Sequence, residues 1–294
     1  MKSTMVCLIG EQPVSNLLPI RHFQPEKVFL VHSEQTERVS KNLEKLIKDK
    51  CSVSTGSIDA FDLIKAKEQL AKYLKDKEDL LFNITGGTKP MALAGFFLAK
   101  ECERPIVYLQ SEGGKSLLYC YEFEGDEIVQ CDYLEIGEVL TIDDYLKVHG
   151  LIYKLKRDRE PFEELVGECL RSELSEVYIA VGFNAFEIDL ILRHKNQVGI
   201  AEVKTGRKAE KKEGIDQLST ASQREFLGTY TARFLILDRT LPPENRALAL
   251  AHNIKIIELL DDKSTGLSER DKNYLIDTVK KTLGYKRNLL KYEQ

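Results

Sequence analysis

The sequence predicts an α/β fold in two domains, residues 1–148 and 149–294. Three observations predict it. Apolar strand-like runs alternate with helical periods through the first half. The pattern restarts near Gly150 with a helix followed by three strand-like runs. At 294 residues the chain is long enough to bury two separate cores.

The first-half strands are Met5–Ile9, Lys27–Val31, Leu80–Ile84 and Ile106–Leu109, apolar runs broken only by Lys27 and Asn83, as expected of strands covered on both faces. Between them, Val39, Leu43, Leu46 and Ile47, then Phe61, Ile64 and Leu70–Leu74, recur at helical spacing. Such alternation predicts a parallel sheet with helices on both sides. After Leu109 the period changes to two. Leu117–Phe123 and Glu127–Leu134 read as a hairpin around Glu124-Gly125-Asp126, and Thr141 with Asp144 as a capping box that opens a short helix.

In the second half, Pro161 opens a helix with Phe162, Leu165, Val166, Cys169 and Leu170 on one face. Strands follow at Glu176–Val181, Phe186–Arg193 and Val198–Thr205, then a helix over Ile215–Phe226 and a strand at Arg233–Leu237. A helix after Leu241-Pro242-Pro243-Glu244, a strand at Ile254–Leu260 and a terminal helix complete the order.

An apolar fraction of 43% with 31% charged residues is that of a soluble globular chain, and no apolar run reaches membrane-spanning length. The start of the chain lacks a secretory pattern, and the six cysteines lack C-x-x-C spacing, so a reduced cytoplasmic setting is expected. Five scattered histidines give no metal signature. The net charge of −4 is uneven: residues 1–150 carry 18 Lys and Arg against 24 Asp and Glu, the remainder 25 against 23. A nucleic-acid partner is therefore expected on the second half.

Two places carry chemistry. The first is the stretch from Leu80, "LLFNITGGTKPM", a strand turning on two glycines into a helix. Glycines let a ligand approach backbone closely, Pro90 suits a first helical turn, and the helix N-terminus favours an anion. Thr85, Gly86, Gly87, Thr88 and Lys89 are the candidate contacts; the bland alternative is a tight turn with no ligand. Walker residues are absent, so nucleoside-triphosphate hydrolysis is not expected, while a bound phosphodiester or nucleotide stays open. Two further loops leave neighbouring strands at the same edge. They offer Gly10, Gln12, Ser15 and Asn16 from the first, and Ser33, Gln35 and Thr36 from the second.

The second place is "EIDLILRHKNQVGIAEVK". A turn centred on Lys195–Asn196 sets Asp189 opposite Glu202, with Lys204 two residues on and so on the same face. Facing carboxylates repel unless a cation lies between them, and hard oxygen donors suit Mg²⁺ or Mn²⁺. The ammonium would orient water and stabilise charge on a phosphorane-like transition state. The alternative is a structural ion pair on a solvated strand face.

Asp189 with Glu202-Val203-Lys204, between a leading and a following helix, resembles the PD-(D/E)XK nuclease superfamily and its restriction-endonuclease-like fold. Ile188 stands where the motif has proline. The resemblance implies metal contacts at Asp189, Glu202 and Val203 and catalytic roles for Asp189, Glu202, Lys204 and a helix glutamate. That glutamate is Glu163, with Glu164 and then Glu168 as fallbacks, and Gln217 is an auxiliary group. The glycine turn with its two loops resembles the CARF domain, a CRISPR-associated Rossmann-like fold that senses cyclic oligoadenylates. The pair resembles type III CRISPR ancillary nucleases. This implies a homodimer, cyclic tetra-adenylate as activator, and DNA or RNA as substrate. Two other readings are a ligand-sensing regulator with an inactive second domain, and a ring nuclease that cleaves the activator. Tyr230 and Arg207–Lys212 are either part of a nucleic-acid groove or a solvated charge run.

Overall fold

In the computed structural model, residues 4–75, 77, 79–223, 226–228, 231–264 and 266–284 are described. Two sheets organise them. The first contains β1 (Thr4–Leu8), β2 (Lys27–His32), β3 (Ser52–Ser57), β4 (Leu80–Asn83), β5 (Ile106–Glu112), β6 (Lys115–Glu124) and β7 (Glu127–Ile136), in the order β3-β2-β1-β4-β5-β6-β7. Strands β1 to β5 are parallel, and β5, β6 and β7 continue as antiparallel hairpins. The chain moves from β1 out to β3 and then returns to the other side of β1. The strand order therefore reverses between β1 and β4.

The intervening helices are α1 (Val14–Phe23), α2 (Glu37–Ile47), α3 (Leu63–Leu74) and α4 (Lys89–Glu101). Val6, Leu8, Phe29 and Phe82 form one core with Leu70 of α3 and Met91 and Leu98 of α4. Met5 and Cys7 alternate to the opposite sheet face and are fully buried there. Several expectations change. Gly10–Ile20 is not wholly a loop, since α1 takes up most of it with Pro19 inside the helix. β3 is a polar edge strand of serine, threonine and glycine without an apolar run. Phe61 and Ile64 do not join the core: they are 75% and 72% exposed, and on α4 Leu93 and Phe97 are 48% and 42% exposed. Ile64 and Phe97 line a groove of about 400 Å³ between α3 and α4.

The second sheet runs β13-β12-β11-β10-β9-β8, with β8 (Tyr153–Leu155), β9 (Glu176–Phe183), β10 (Glu187–His194), β11 (Gln197–Lys204), β12 (Ala232–Leu237) and β13 (Ile254–Glu258). Strands β8 to β11 are mutually antiparallel, and β11, β12 and β13 are parallel. Helices α5 (Ile142–Val148), α6 (Pro161–Arg171), α7 (Glu213–Ala221), α8 (Pro243–Ala251) and α9 (Glu269–Gly284) accompany it. Phe162, Val166 and Leu170 of α6, Leu190, Leu192 and Val203 of the hairpin, and Leu275 and Val279 of α9 share one core.

By contacts the chain divides into two units that exchange a short segment. Leu140–Leu146 belongs with the residues from Leu151 onward, whereas Lys147–Gly150 belongs with those up to Val139. Three side chains tie that segment in. Asn196 Oδ1 accepts from the Leu140 N–H, Glu176 Oε2 accepts from the Ile142 N–H, and the Tyr145 hydroxyl donates to the Leu227 carbonyl. The expected cap is present too, with the Asp144 N–H donating to Thr141 Oγ1 at 2.9 Å. Among the described residues, no helix is long and apolar enough to cross a membrane.

Candidate functional site

The β10–β11 hairpin turns at Lys195–Asn196, and its register runs from His194↔Gln197 to Leu190↔Ala201. Continued by one step it would pair Asp189 with Glu202, but the ladder ends first. Beyond Leu190, β10 stays with β9 while β11 stays with β12 as far as Lys204↔Leu237. The expected cross-strand pair of carboxylates is thus replaced by a fork between two strands. Asp189 fills it with its side chain: Oδ2 accepts from the Val203 N–H at 2.7 Å and from Lys204 Nζ at 2.9 Å. A carboxylate stands where the backbone acceptor of a neighbouring strand would otherwise be.

Glu202 is fully buried. Its Oε2 accepts from Lys204 Nζ at 2.5 Å, while Oε1 is buried without a hydrogen-bond partner. Burial and then the charge of Asp189 push the Glu202 carboxyl up to about 8. Burial alone would lower the Lys204 ammonium, but Glu202 and Asp189 outweigh it and hold that group above its ordinary value. Two carboxylates against one ammonium leave a surplus of negative charge in a buried place. Such a site favours one more positive charge, whether a proton or a metal ion.

Helix α7 closes one side. A Cβ at Gly214 would lie 2.8 Å from Leu235 Cδ1, 3.5 Å from Lys204 Cγ and 3.7 Å from Glu202 Cβ, so glycine permits this approach. Gln217, three residues on and on the same helix face, has a buried Oε1 with no partner. On α6, Glu163 is half-buried, and burial together with the nearby Asp189 charge pushes its carboxyl up to about 7. Glu164 and Glu168 are exposed and pair with Arg159 and Arg171 instead. Among the described residues, no three His, Cys, Asp or Glu side chains are gathered as metal ligands. The oxygens present still suit a hard cation: Asp189, Glu202 with its partnerless Oε1, and the amide oxygen of Gln217. Arg207, Lys208, Lys211 and Lys212 are exposed just beyond β11, and Tyr230 lies outside the described residues.

The glycine turn occupies the point where strand order reverses, between β1 and β4. Gly87 has φ +77°, a left-handed conformation, and a Cβ on Gly86 would lie 2.2 Å from the Leu8 carbonyl oxygen. A Cβ on Gly10 would meet the Gly87 nitrogen at 2.9 Å, so the two loops touch through backbone. Thr88 caps α4, its Oγ1 accepting from the Met91 N–H at 3.4 Å and donating to the Ala60 carbonyl. The Met91 N–H is thereby satisfied within the turn itself.

Most of the proposed neutral donors here are engaged in the fold. Asn16 Nδ2 donates to the Leu8 carbonyl, Asn83 Nδ2 donates to Asn16 Oδ1, and Thr85 donates through N–H and Oγ1 to Asn83 Oδ1. Thr85 Oγ1 also accepts from the Leu109 N–H, and Ser15 Oγ donates to the Gln12 carbonyl. Ser33 and Thr36 are buried in a mutual capping box, and Thr36 Oγ1 donates to the Ile9 carbonyl. Lys89 and Gln35 remain exposed, Gln12 is half-buried, and Gly86 and Gly87 present backbone. Asn83, absent from the sequence expectations, is the hub of this network. Its place as the last residue of an otherwise apolar strand was the available signal.

Comparison with known proteins bears on the fold. No curated protein sequence matched the chain. The chain resembles Can2 from Sulfobacillus thermosulfidooxidans, solved in complex with cyclic tetra-adenylate, with TM-score 0.76 and 15% identity over 96% of this chain and 99% of that one. It resembles protein VC1899 from Vibrio cholerae with TM-score 0.73 and 12% identity over 94% and 96% of the two chains. A type III CRISPR defence DNA nuclease activated by cyclic oligoadenylate gives TM-score 0.67 and 16% identity, over 98% of this chain and 52% of that one. At these identities the likeness is one of fold. Residues 4–145, which carry the glycine turn and both neighbouring loops, match the family model for the Card1 CARF domain.

Proposed function

We propose that this protein is a metal-dependent nuclease, acting on DNA or RNA, that cyclic tetra-adenylate switches on in type III CRISPR defence. The observation that carries the reading is the buried Asp189–Glu202–Lys204 triplet with its partnerless carboxylate oxygen. A structural ion pair would use all its acceptors, because an unmade buried hydrogen bond is costly. Strands parting at Asp189, a helix on either side and the E-x-K order agree with a PD-(D/E)XK centre for residues 149–294.

Asp189, Glu202 and Val203 would hold Mg²⁺ or Mn²⁺, with Glu163 and Gln217 alongside. The cation, when bound, supplies Lewis-acid stabilisation of phosphoryl oxygens and a more acidic water. Lys204 keeps its proton and, once its carboxylates are otherwise engaged, aims Nζ at the oxygen where charge builds during phosphodiester hydrolysis. Asp189 fixes the end of β11 through Val203, so the carboxylates and the ammonium keep one geometry.

The activator would lie on the backbone of Gly10, Gly86 and Gly87, at the start of α4, with Lys89, Gln12 and Gln35 at the rim. Can2, which shares the fold, was solved with this ligand. Lys89, Leu93 and Phe97 are spaced by four and lie along one face of α4. A second copy packed on the exposed Leu93–Phe97 stripe would bring two glycine turns to one cyclic ligand. This is the homodimer that a symmetric ring requires.

The test is cleavage of single- and double-stranded DNA and RNA with Mg²⁺ or Mn²⁺, with and without cyclic oligoadenylates of several ring sizes. Cutting that needs both the metal and one ring size is expected. Cleavage by Glu202→Gln at a rate close to that of wild type, or ring cleavage as the sole activity, overturns the reading.

A further inference from the structure

One residue of β9 has a backbone unlike its neighbours. Ala180 has φ +55°, in the left-handed region that L-residues other than glycine, asparagine and aspartate seldom occupy. On one side of it Val181 pairs with Ile188, and on the other Ile179 pairs with Leu190. Both pairs belong to one register, so no residue has been inserted. That register would join Ala180 to Asp189, and this is the pair the ladder omits. The Ala180 carbonyl accepts from the Lys156 N–H at 2.9 Å, so the residue remains tied to its other side.

Asp189 is thereby released on both flanks, from β9 at Ala180 and from β11 at the fork. Val177, Ile179 and Val181 have the β-branched side chains that favour extended backbone, whereas position 180 carries the smaller alanine. Unusual backbone conformations persist where the surroundings hold them, and they gather at functional sites.

We infer that Ala180 is a positioning residue for Asp189. Its left-handed backbone keeps Asp189 out of the β9–β10 ladder, so that the carboxylate reaches the Val203 N–H, Lys204 and the metal position. This inference rests on the reading of the triplet as a nuclease centre. Two readouts separate them: the affinity of the full chain for Mn²⁺ alone by calorimetry, and the exchange rate of the Val203 amide without metal.

Ala180→Val favours extended backbone at 180 and restores the pairing. It is expected to weaken Mn²⁺ binding at least tenfold and to speed Val203 exchange, with the melting temperature within a few degrees of wild type. Ala180→Gly accepts the left-handed conformation freely. It is expected to keep Mn²⁺ affinity within threefold, with a melting temperature equal to or above that of wild type. The inference is overturned if Ala180→Val melts lower but binds Mn²⁺ and protects Val203 as wild type does. A lowered melting temperature in Ala180→Gly also overturns it, and that arm decides if the valine variant fails to fold. Wild-type protein that takes up no Mn²⁺ sinks the nuclease reading. Val203 exchange then still tests Ala180, because that hydrogen bond needs no metal.

Discussion

The two polar centres of this chain treat their hydrogen bonds in opposite ways. At the glycine turn, Asn16, Asn83, Thr85, Ser33 and Thr36 give their donors to carbonyls or to one another, and what faces outward is largely backbone. At the strand fork, Glu202 keeps an oxygen without a partner and shares one ammonium with Asp189. A satisfied network makes a rigid cradle whose shape selects a ligand. An under-satisfied one stores an electrostatic demand that a ligand relieves. Shape recognition suits a sensor, and unmet charge suits chemistry.

The largest test of this contrast is Glu202→Gln. Cutting should fall by roughly 10³-fold or more, by analogy with removing one preorganised polar group at a transition state. The same change replaces a buried carboxyl that burial and Asp189 already push toward its neutral form with a neutral amide, so the melting temperature should hold or rise by a few degrees, measured by calorimetry. A loss of both stability and activity would make the triplet a structural ion pair and erase the difference between the centres. Next is Gly86→Ala, whose Cβ has the Leu8 carbonyl oxygen at 2.2 Å. Overpacking of that kind costs about 1–3 kcal/mol, and activator binding by calorimetry should be lost with it.

Asn83→Ala is expected to cost about 1–3 kcal/mol in denaturant unfolding, because Asn16 Oδ1 and the Thr85 donors lose their buried partner. The smallest effect belongs to Lys89→Ala. Exposed and outside the network, it should leave unfolding unchanged and weaken activator binding by roughly tenfold, the loss of one charge-assisted contact. A Lys89 variant that binds as tightly as wild type would mean that backbone alone supplies recognition.

Much of the fold was legible because its strands are continuous apolar runs and its hairpins carry clear turns. The register set by Lys195–Asn196 follows from that turn alone. β3 was not legible, since an edge strand of serine, threonine and glycine shows no apolar period. α1 was hidden by Gly10, Pro13 and Pro19, which read as loop signals although Pro19 is buried within a helix. Sequence also names donors without saying which carbonyl takes each one, so Ser33 and Thr36 looked available for a ligand. The release of Asp189 from β9 falls at Ala180, and nothing in the letter A announces a left-handed backbone.

The exchanged segment at Leu140–Leu146 bears on how the protein can be divided. A fragment starting at residue 149 would omit the backbone donors that Glu176 and Asn196 accept from, and the hydroxyl that reaches Leu227. It would also uncover the surface on which Leu140, Ile142 and Leu146 are buried. Severing the chain at about residue 138 keeps that strap with its own half, so a folded fragment of the second unit should begin there. Limited proteolysis ought to spare Leu140–Tyr145, because a protease needs a freely unfolding stretch and this one is held to its own unit through Asn196, Glu176 and Leu227.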